Sequence, residues 1–76
     1  MLSFVLVSLN GGSERRALKE IQSYRCVKMA HLIFGEWDLI VEVDVKNSEE
    51  LVDFVFNKLR SRDDVKLTSS LIVAGQ

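Results

Sequence analysis

The sequence carries one cysteine, Cys26, and one histidine, His31. No internal disulfide can form, and no Cys/His cluster supplies the four ligands of a structural zinc site. Ten basic and 11 acidic side chains leave a formal net charge of −1, unlike the basic stripe and high pI of a nucleic-acid reader. No apolar run approaches the ~20 residues of a membrane-spanning helix. The opening Met1-Leu2-Ser3-Phe4 lacks the positive start of a secretory signal, and a lone free cysteine fits a reducing compartment. The expectation is a cytoplasmic chain without cofactor or metal, in direct contact with neither nucleic acid nor membrane. At 76 residues it has room for one domain, 1–76. So small a domain buries only about 60% of its unfolded surface. With disulfides and metals removed from the usual supplements, self-association is the one that remains.

What the chain does have is an ordered series of apolar patterns. Leu2 to Leu9 is a strand with no polar face in its middle, which predicts burial on both sides. Asn10-Gly11-Gly12 breaks it, and Ser13 is placed to cap a helix with Glu14 in its first turn. Ala17, Leu18, Ile21 and Tyr24 form that helix's apolar stripe. A run from Cys26 to Phe34 and an alternating run from Trp37 to Val45, joined through Gly35-Glu36, read as a hairpin. In the first arm Val27, Met29 and Ile33 share one face, and Ala30, Leu32 and Phe34 the other; in the second, Trp37, Leu39, Val41, Val43 and Val45 share one face. Asn47 begins a second helix with Glu50 three residues on, followed by Leu51, Phe54, Val55 and Leu59, with Val52 and Phe56 widening the stripe. Arg60 and Arg62 suit its negative end, and a last strand runs from Val65 to Val73. Strand, helix, strand, strand, helix, strand is the ferredoxin-like α+β order. Two helices cover one face of the sheet, so the apolar residues on the other face predict a homodimer with sheets face to face.

Few residues stand out chemically. Gly35-Glu36-Trp37-Asp38 combines a glycine suited to a positive φ, an aromatic wall and a carboxylate at a turn with free amides. Those groups match the carboxylate, ammonium and side chain of an α-amino acid; alternatively Asp38 simply bonds to turn amides. Thr68-Ser69-Ser70 interrupts an apolar strand with three hydroxyls, serving either cross-strand bonding or a ligand from a neighbouring subunit. His31 has no nucleophile to activate. Glu42 and Asp44, at i and i+2 on one strand face, suit solvation or an acid/base pair.

From Phe34 to Val43, at Glu50-Leu51-Val52-Asp53-Phe54 and from Val65 to Val73, the chain resembles the ligand-binding domain of the Lrp/AsnC transcription regulators, also called the RAM domain. The carriers are the Gly-x-aromatic-Asp turn, the helix with Leu and Phe, and the Thr/Ser-rich final strand. The resemblance implies a dimeric α+β barrel, dimers that assemble into octamers, and a small amino-acid effector bound where dimers meet. By motif position, Gly35, Glu36, Trp37 and Asp38 become its contacts, with Thr68, Ser69 and Ser70 contributing across the contact. Full regulators add an N-terminal helix-turn-helix domain. Here the first strand starts at Leu2, so the expectation is a stand-alone module, without catalysis, that partners itself or a full-length regulator. The turn before the last strand, Pro-Gly-like in the family, is Arg62-Asp63-Asp64. Two competing readings share the element order. An ACT-type regulatory domain would use Asn10-Gly11-Gly12 for its ligand, and a small dimeric-barrel enzyme would use His31, Glu42 or Asp44.

Overall fold

The computed structural model describes residues 1–75. Strand β1 (Leu2–Leu9) leads into helix α1 (Glu14–Gln22), then strands β2 (Val27–Leu32) and β3 (Leu39–Asp44), helix α2 (Ser48–Phe54) and strand β4 (Val65–Ile72). The four strands form one antiparallel sheet in the order β2-β3-β1-β4. This is the ferredoxin-like arrangement that the apolar patterning predicts.

The core lies between the sheet and the two helices. Val5, Val7 and Leu9 of β1, with Leu39, Val41, Val43 and Val45 of the β3 segment, turn inward in strict alternation. Ala17 and Ile21 of α1 pack on them from above, as do Leu51 and Phe54 of α2 and Val55 and Leu59 beyond it. β1 is buried on this side only; Phe4 and Leu6, on its other side, are only partly covered.

Helix ends depart from the pattern in instructive ways. Asn47 caps α2 as expected, its side-chain oxygen accepting the Glu50 amide at 2.9 Å. Ser13 begins α1 but makes no side-chain cap; its hydroxyl donates to the Asn10 carbonyl, and the Glu14 carboxylate takes the Gly12 amide at 3.1 Å. α2 continues into a π-helical turn, Val55–Leu59, closed by the Arg60 amide on the Val55 carbonyl at 2.7 Å. Val52 and Phe56 do not widen the buried stripe; both are exposed, flanking the π-turn's outer side. In β2 an irregularity between Val27 and Met29 puts Val27 opposite Val43 but Met29 opposite Glu42. The two residues therefore face opposite sides, because one extra residue inverts the alternation. The strand also ends at Leu32, so Phe34 belongs to the turn rather than to a sheet face.

An ion-pair cluster closes the corner before β4. Arg62 donates to both oxygens of Asp64 at 2.9 Å, pairs with Glu20 of α1 at 2.9 Å and donates to the Tyr24 hydroxyl at 3.2 Å. Asp64 is 5% exposed and Arg62 12%. Arg62 is thus held by this corner rather than serving the α2 dipole. The hydrogen bonds from Arg62 hold the Asp64 carboxyl below its ordinary value of 3.8, against the opposing effect of burial. Asp64 therefore stabilises the fold fully above pH ~4, and that contribution fades as acid protonates it toward its lowered folded pKa. Asp64→Asn should cost about 3 kcal/mol, as severing a buried pair does, and should flatten the acid limb of stability below pH 4. Urea melts at pH 3 and pH 7 check this; equal losses at both would show that the charge is immaterial.

Among the described residues one buried side-chain oxygen is unpartnered. Ser3 is fully buried opposite Val43 and Ile72, and its hydroxyl has no hydrogen-bond partner among the described residues. Since an unmet buried hydroxyl costs roughly 1–3 kcal/mol, Ser3→Ala should raise the denaturation midpoint, by up to about 1 kcal/mol in stability after lost packing. A lowered midpoint would mean that the hydroxyl is satisfied.

Candidate functional site

The β2–β3 hairpin is closed by the Ile33 amide on the Asp38 carbonyl at 2.9 Å. Gly35 sits at φ +136, where side-chain-bearing residues are strained although nothing would meet an added Cβ. The glycine therefore serves the turn, not a close approach. Asp38 fastens the hairpin to β1: its amide donates to the Val7 carbonyl at 2.9 Å and its Oδ2 accepts the Leu9 amide at 2.7 Å. The carboxylate extends the β1–β3 ladder where the backbone turns away. One carboxylate oxygen is so engaged; no described residue bonds to the other. Trp37 is half-buried and Glu36 exposed. Beside the turn, Asp38, Glu14, Leu32, Ile33 and Phe34 line a depression of about 260 Å³ with apolar walls.

The hydroxyl strand lies elsewhere. Thr68 is opposite Val7 and Ser70 opposite Val5, on the helix side of the sheet, while Ser69 is opposite Leu6 on the open side. β1 stands between β4 and β3, so the hydroxyls are two strands, about 10 Å, from the hairpin strand. Thr68 and Ser70 line a separate groove of about 320 Å³ along α2, with Val52, Phe56, Arg60 and Ile72. The structure thus brings Gly35, Glu36, Trp37 and Asp38 together and groups Thr68 with Ser70, but it does not join the two sets within one chain. Ser69 belongs to neither cavity.

The other candidates fare differently. The Gly12 amide is taken by Glu14 and the Asn10 amide by the Asp64 carbonyl, so two of the amides of the Asn10-Gly11-Gly12 turn that an ACT-type reading would offer to a ligand are already engaged. His31 and Glu42 line a shallow depression on the open face with Phe4, Met29 and Ile40, whereas Asp44 lines a cleft with Cys26 and Lys58 beside α2. The three do not form one catalytic group. Burial pushes the Cys26 thiol up, with Glu50 adding to the effect, which disfavours a reactive thiolate. Among the described residues no group of three or more His, Cys, Asp or Glu is placed to hold a metal. Nor is any described helix long and apolar enough to cross a membrane. Sequence reasoning missed Arg62 and Asp64 as a structural pair; the Arg-x-Asp spacing ahead of a strand was the available signal. It also missed Phe34, whose exposure depends on where β2 stops.

Comparison with known proteins places this geometry. The family model described as the Lrp/AsnC ligand binding domain matches residues 2–76. The uncharacterized HTH-type transcriptional regulator PH1916 of Pyrococcus horikoshii is 32% identical over 73 residues, which cover 92% of this chain and 49% of its own. The HTH-type transcriptional regulator FL11 of the same organism is 30% identical, over 96% of this chain and 48% of its own. The chain spans about half the length of the curated relatives it matches. Among solved structures, FFRP-DM1 superposes with a TM-score of 0.90 at 30% identity, covering 95% of this chain and 96% of its own. TTHA0845 of Thermus thermophilus gives 0.93 at 27%, covering 99% and 94%. This chain belongs to the Lrp/AsnC ligand-binding-domain family.

Proposed function

We propose that this chain is an amino-acid-sensing assembly domain that works in the cytoplasm. It pairs sheet to sheet as a dimeric α+β barrel and holds a small amino acid where the hairpin turn of one dimer meets the hydroxyl strand of another, the dimers building toward an octamer. Its output is a change of assembly, alone or with a full-length regulator of the same family. The observation that carries the reading is the division of the candidate site: within one chain, Asp38 lines one cavity and Thr68 with Ser70 another, an arrangement that fits a site shared with a second copy. Two further facts support it. The open sheet face exposes Leu2, Met29, Leu67 and Leu71 beside partly covered Phe4 and Ile40, a patch of the kind that marks an interface. A transcriptional regulator of Neisseria meningitidis with the same fold, 19% identical with a TM-score of 0.89, is known as a complex with L-Met.

The chemistry assigns parts to the ligand. Its ammonium meets the oxygen of Asp38 that Leu9 does not use, its side chain lies against Leu32 and Ile33, and its carboxylate turns to turn amides and to the hydroxyls of Thr68 and Ser70 across the contact, Ser69 lying on the other side of the sheet. Asp38→Asn separates this role from the structural one, because an amide oxygen still accepts the Leu9 N–H while the charge is gone. Calorimetric titration with each of the twenty amino acids should find a ligand for the wild-type chain. Asp38→Asn should bind it at least about tenfold more weakly, since hydrogen bonds to charged groups are worth ~1.5–3 kcal/mol and 1.4 kcal/mol is tenfold, with an unchanged melting temperature. Equal affinity in the variant sinks the assignment of Asp38; no binding by the wild type sinks the sensing role.

A further inference from the structure

We infer that His31 and Glu42 make the pairing of the open sheet faces depend on proton uptake, so that two copies associate more tightly in mildly acid than in mildly alkaline solution. The inference deepens the proposed sheet-to-sheet pairing and rests on that reading. The open face carries little charge. β1 presents Leu2, Phe4, Leu6 and Ser8 to it, and β4 presents Leu67, Ser69 and Leu71. On β3, an inner strand, Ile40 and Glu42 face the same way. On β2, His31 lies opposite Ile40 and Met29 opposite Glu42. Glu42 is therefore flanked in register by Phe4 on one side and Met29 on the other. His31 is one diagonal step away, ~7–8 Å between backbones, and lines the same depression of about 210 Å³. Neither side chain forms an ion pair among the described residues.

The other ionisable groups around the pair are accounted for. Asp44, at the end of β3, is engaged by the Met1 ammonium at 3.3 Å. Lys28, in the β2 irregularity, shares a depression at the sheet edge with His31, where a like charge opposes protonation of the imidazole. α1 reaches β2 through Gln22, which is uncharged and donates to the Ala30 carbonyl at 3.1 Å. A second sheet laid on this face adds another copy of the same groups. Glu42 is half-covered in the single chain and His31 exposed, so both keep water until the faces meet. A carboxylate buried without a countercharge is heavily penalised, and one buried against a cation far less. Imidazole is the side chain that ordinarily changes charge between about pH 5 and 8, and in the depression it is His31 that can supply the cation. A buried carboxylate beside it strengthens its hold on the proton. The paired state is then fully stabilised below the free chain's titration of the imidazole, and that stabilisation is lost as pH rises through the raised value in the dimer. The Asp64 corner stays ionised throughout this range, its carboxyl being held below 3.8, so the fold itself does not respond.

The test is sedimentation velocity on dilution series of the full chain at pH 6, 7 and 8, without amino acids. The wild-type dimer should have a dissociation constant at least about tenfold smaller at pH 6 than at pH 8. Glu42→Gln keeps the shape and removes the charge, so it should pair more tightly than the wild type at pH 8 and lose or reverse the dependence. His31→Gln should pair at pH 6 no better than the wild type does at pH 8. Both positions lie outside the core, and circular dichroism verifies that the variants fold. His31 is the only histidine, so its ring protons give a single signal in the NMR spectrum. That signal should titrate at higher pH in the wild-type dimer than in Leu71→Arg, which puts a charge on the open face and should leave a single chain. A dissociation constant that is level from pH 6 to pH 8 overturns the inference, as does a slope that survives Glu42→Gln or His31→Gln. The pairing reading fails separately. A dimer that Leu71→Arg leaves intact uses another surface, and a chain that is single at every pH has no pairing to control; either result removes both readings. A dimer that Leu71→Arg abolishes but pH does not move upholds the pairing and removes the proton dependence alone.

Discussion

Strand β1 pairs with β3 on one side and β4 on the other, and its far end is where the molecule is most tightly tied. The Leu9 amide is taken by the Asp38 carboxylate, and the Asn10 amide, one residue on, by the Asp64 carbonyl at 2.9 Å. Asp64 is fixed in turn by Arg62, which also reaches Glu20 on α1. The hairpin, the turn before β4 and the first helix therefore converge on two consecutive residues of one strand. Ladder bonds in the middle of a sheet are mutually protected, but those at its ends fray. Side-chain acceptors at Leu9 extend the order of the sheet to its corner. The turn that carries Phe34, Gly35, Glu36 and Trp37 grows from that corner, so its amides and side chains are presented from a frame tied by these bonds.

The same tie sets the electrostatics of the depression beside the turn. Asp38 has one oxygen committed to β1, and Glu14 leans back on the Gly12 amide. Two carboxylates, each already accepting from the backbone, face a cavity whose remaining walls are Leu32, Ile33 and Phe34. Such a cavity favours a cation with an apolar body and repels a carboxylate. The hydroxyls and the guanidinium lie on the other surface. A zwitterion is thus half-accommodated by each surface and fully by neither, which is the physical content of the proposal that two copies share it.

Much of this was legible in the chain. Leu39, Val41, Val43 and Val45 declared the inner face of β3 by simple alternation, and Leu51, Phe54, Val55 and Leu59 declared the inner stripe of α2 by their spacing. Both signals depend only on backbone periodicity, which the core cannot override without burying charge. The errors lie where periodicity lapses. An extra residue between Val27 and Met29 inverted half of β2, and hydrophobicity patterns are blind to bulges. Val52 and Phe56 looked like core because a helix stripe has no sharp edge in sequence; the π-turn and the edge position of β4 leave them outside. The turn motif was visible as residues, but that Asp38 is half spent on the Leu9 amide follows from a contact 29 residues away. No local pattern encodes it.

A site divided between copies has a thermodynamic consequence that a complete pocket lacks. A ligand shifts an assembly equilibrium only by its difference in affinity for the two states, and one that binds both equally shifts nothing. In a complete pocket that difference must be engineered through a conformational change. Under the proposed sharing it would arise from geometry: the lone chain would supply acids and an apolar wall, the second copy would supply hydroxyls, and the full set of contacts would exist only on assembly. Linkage is reciprocal, so whatever factor the amino acid contributes to association, association contributes to its affinity. Since protein interiors are close-packed and resist rearrangement, a domain that works in this way would report a metabolite without changing its own fold.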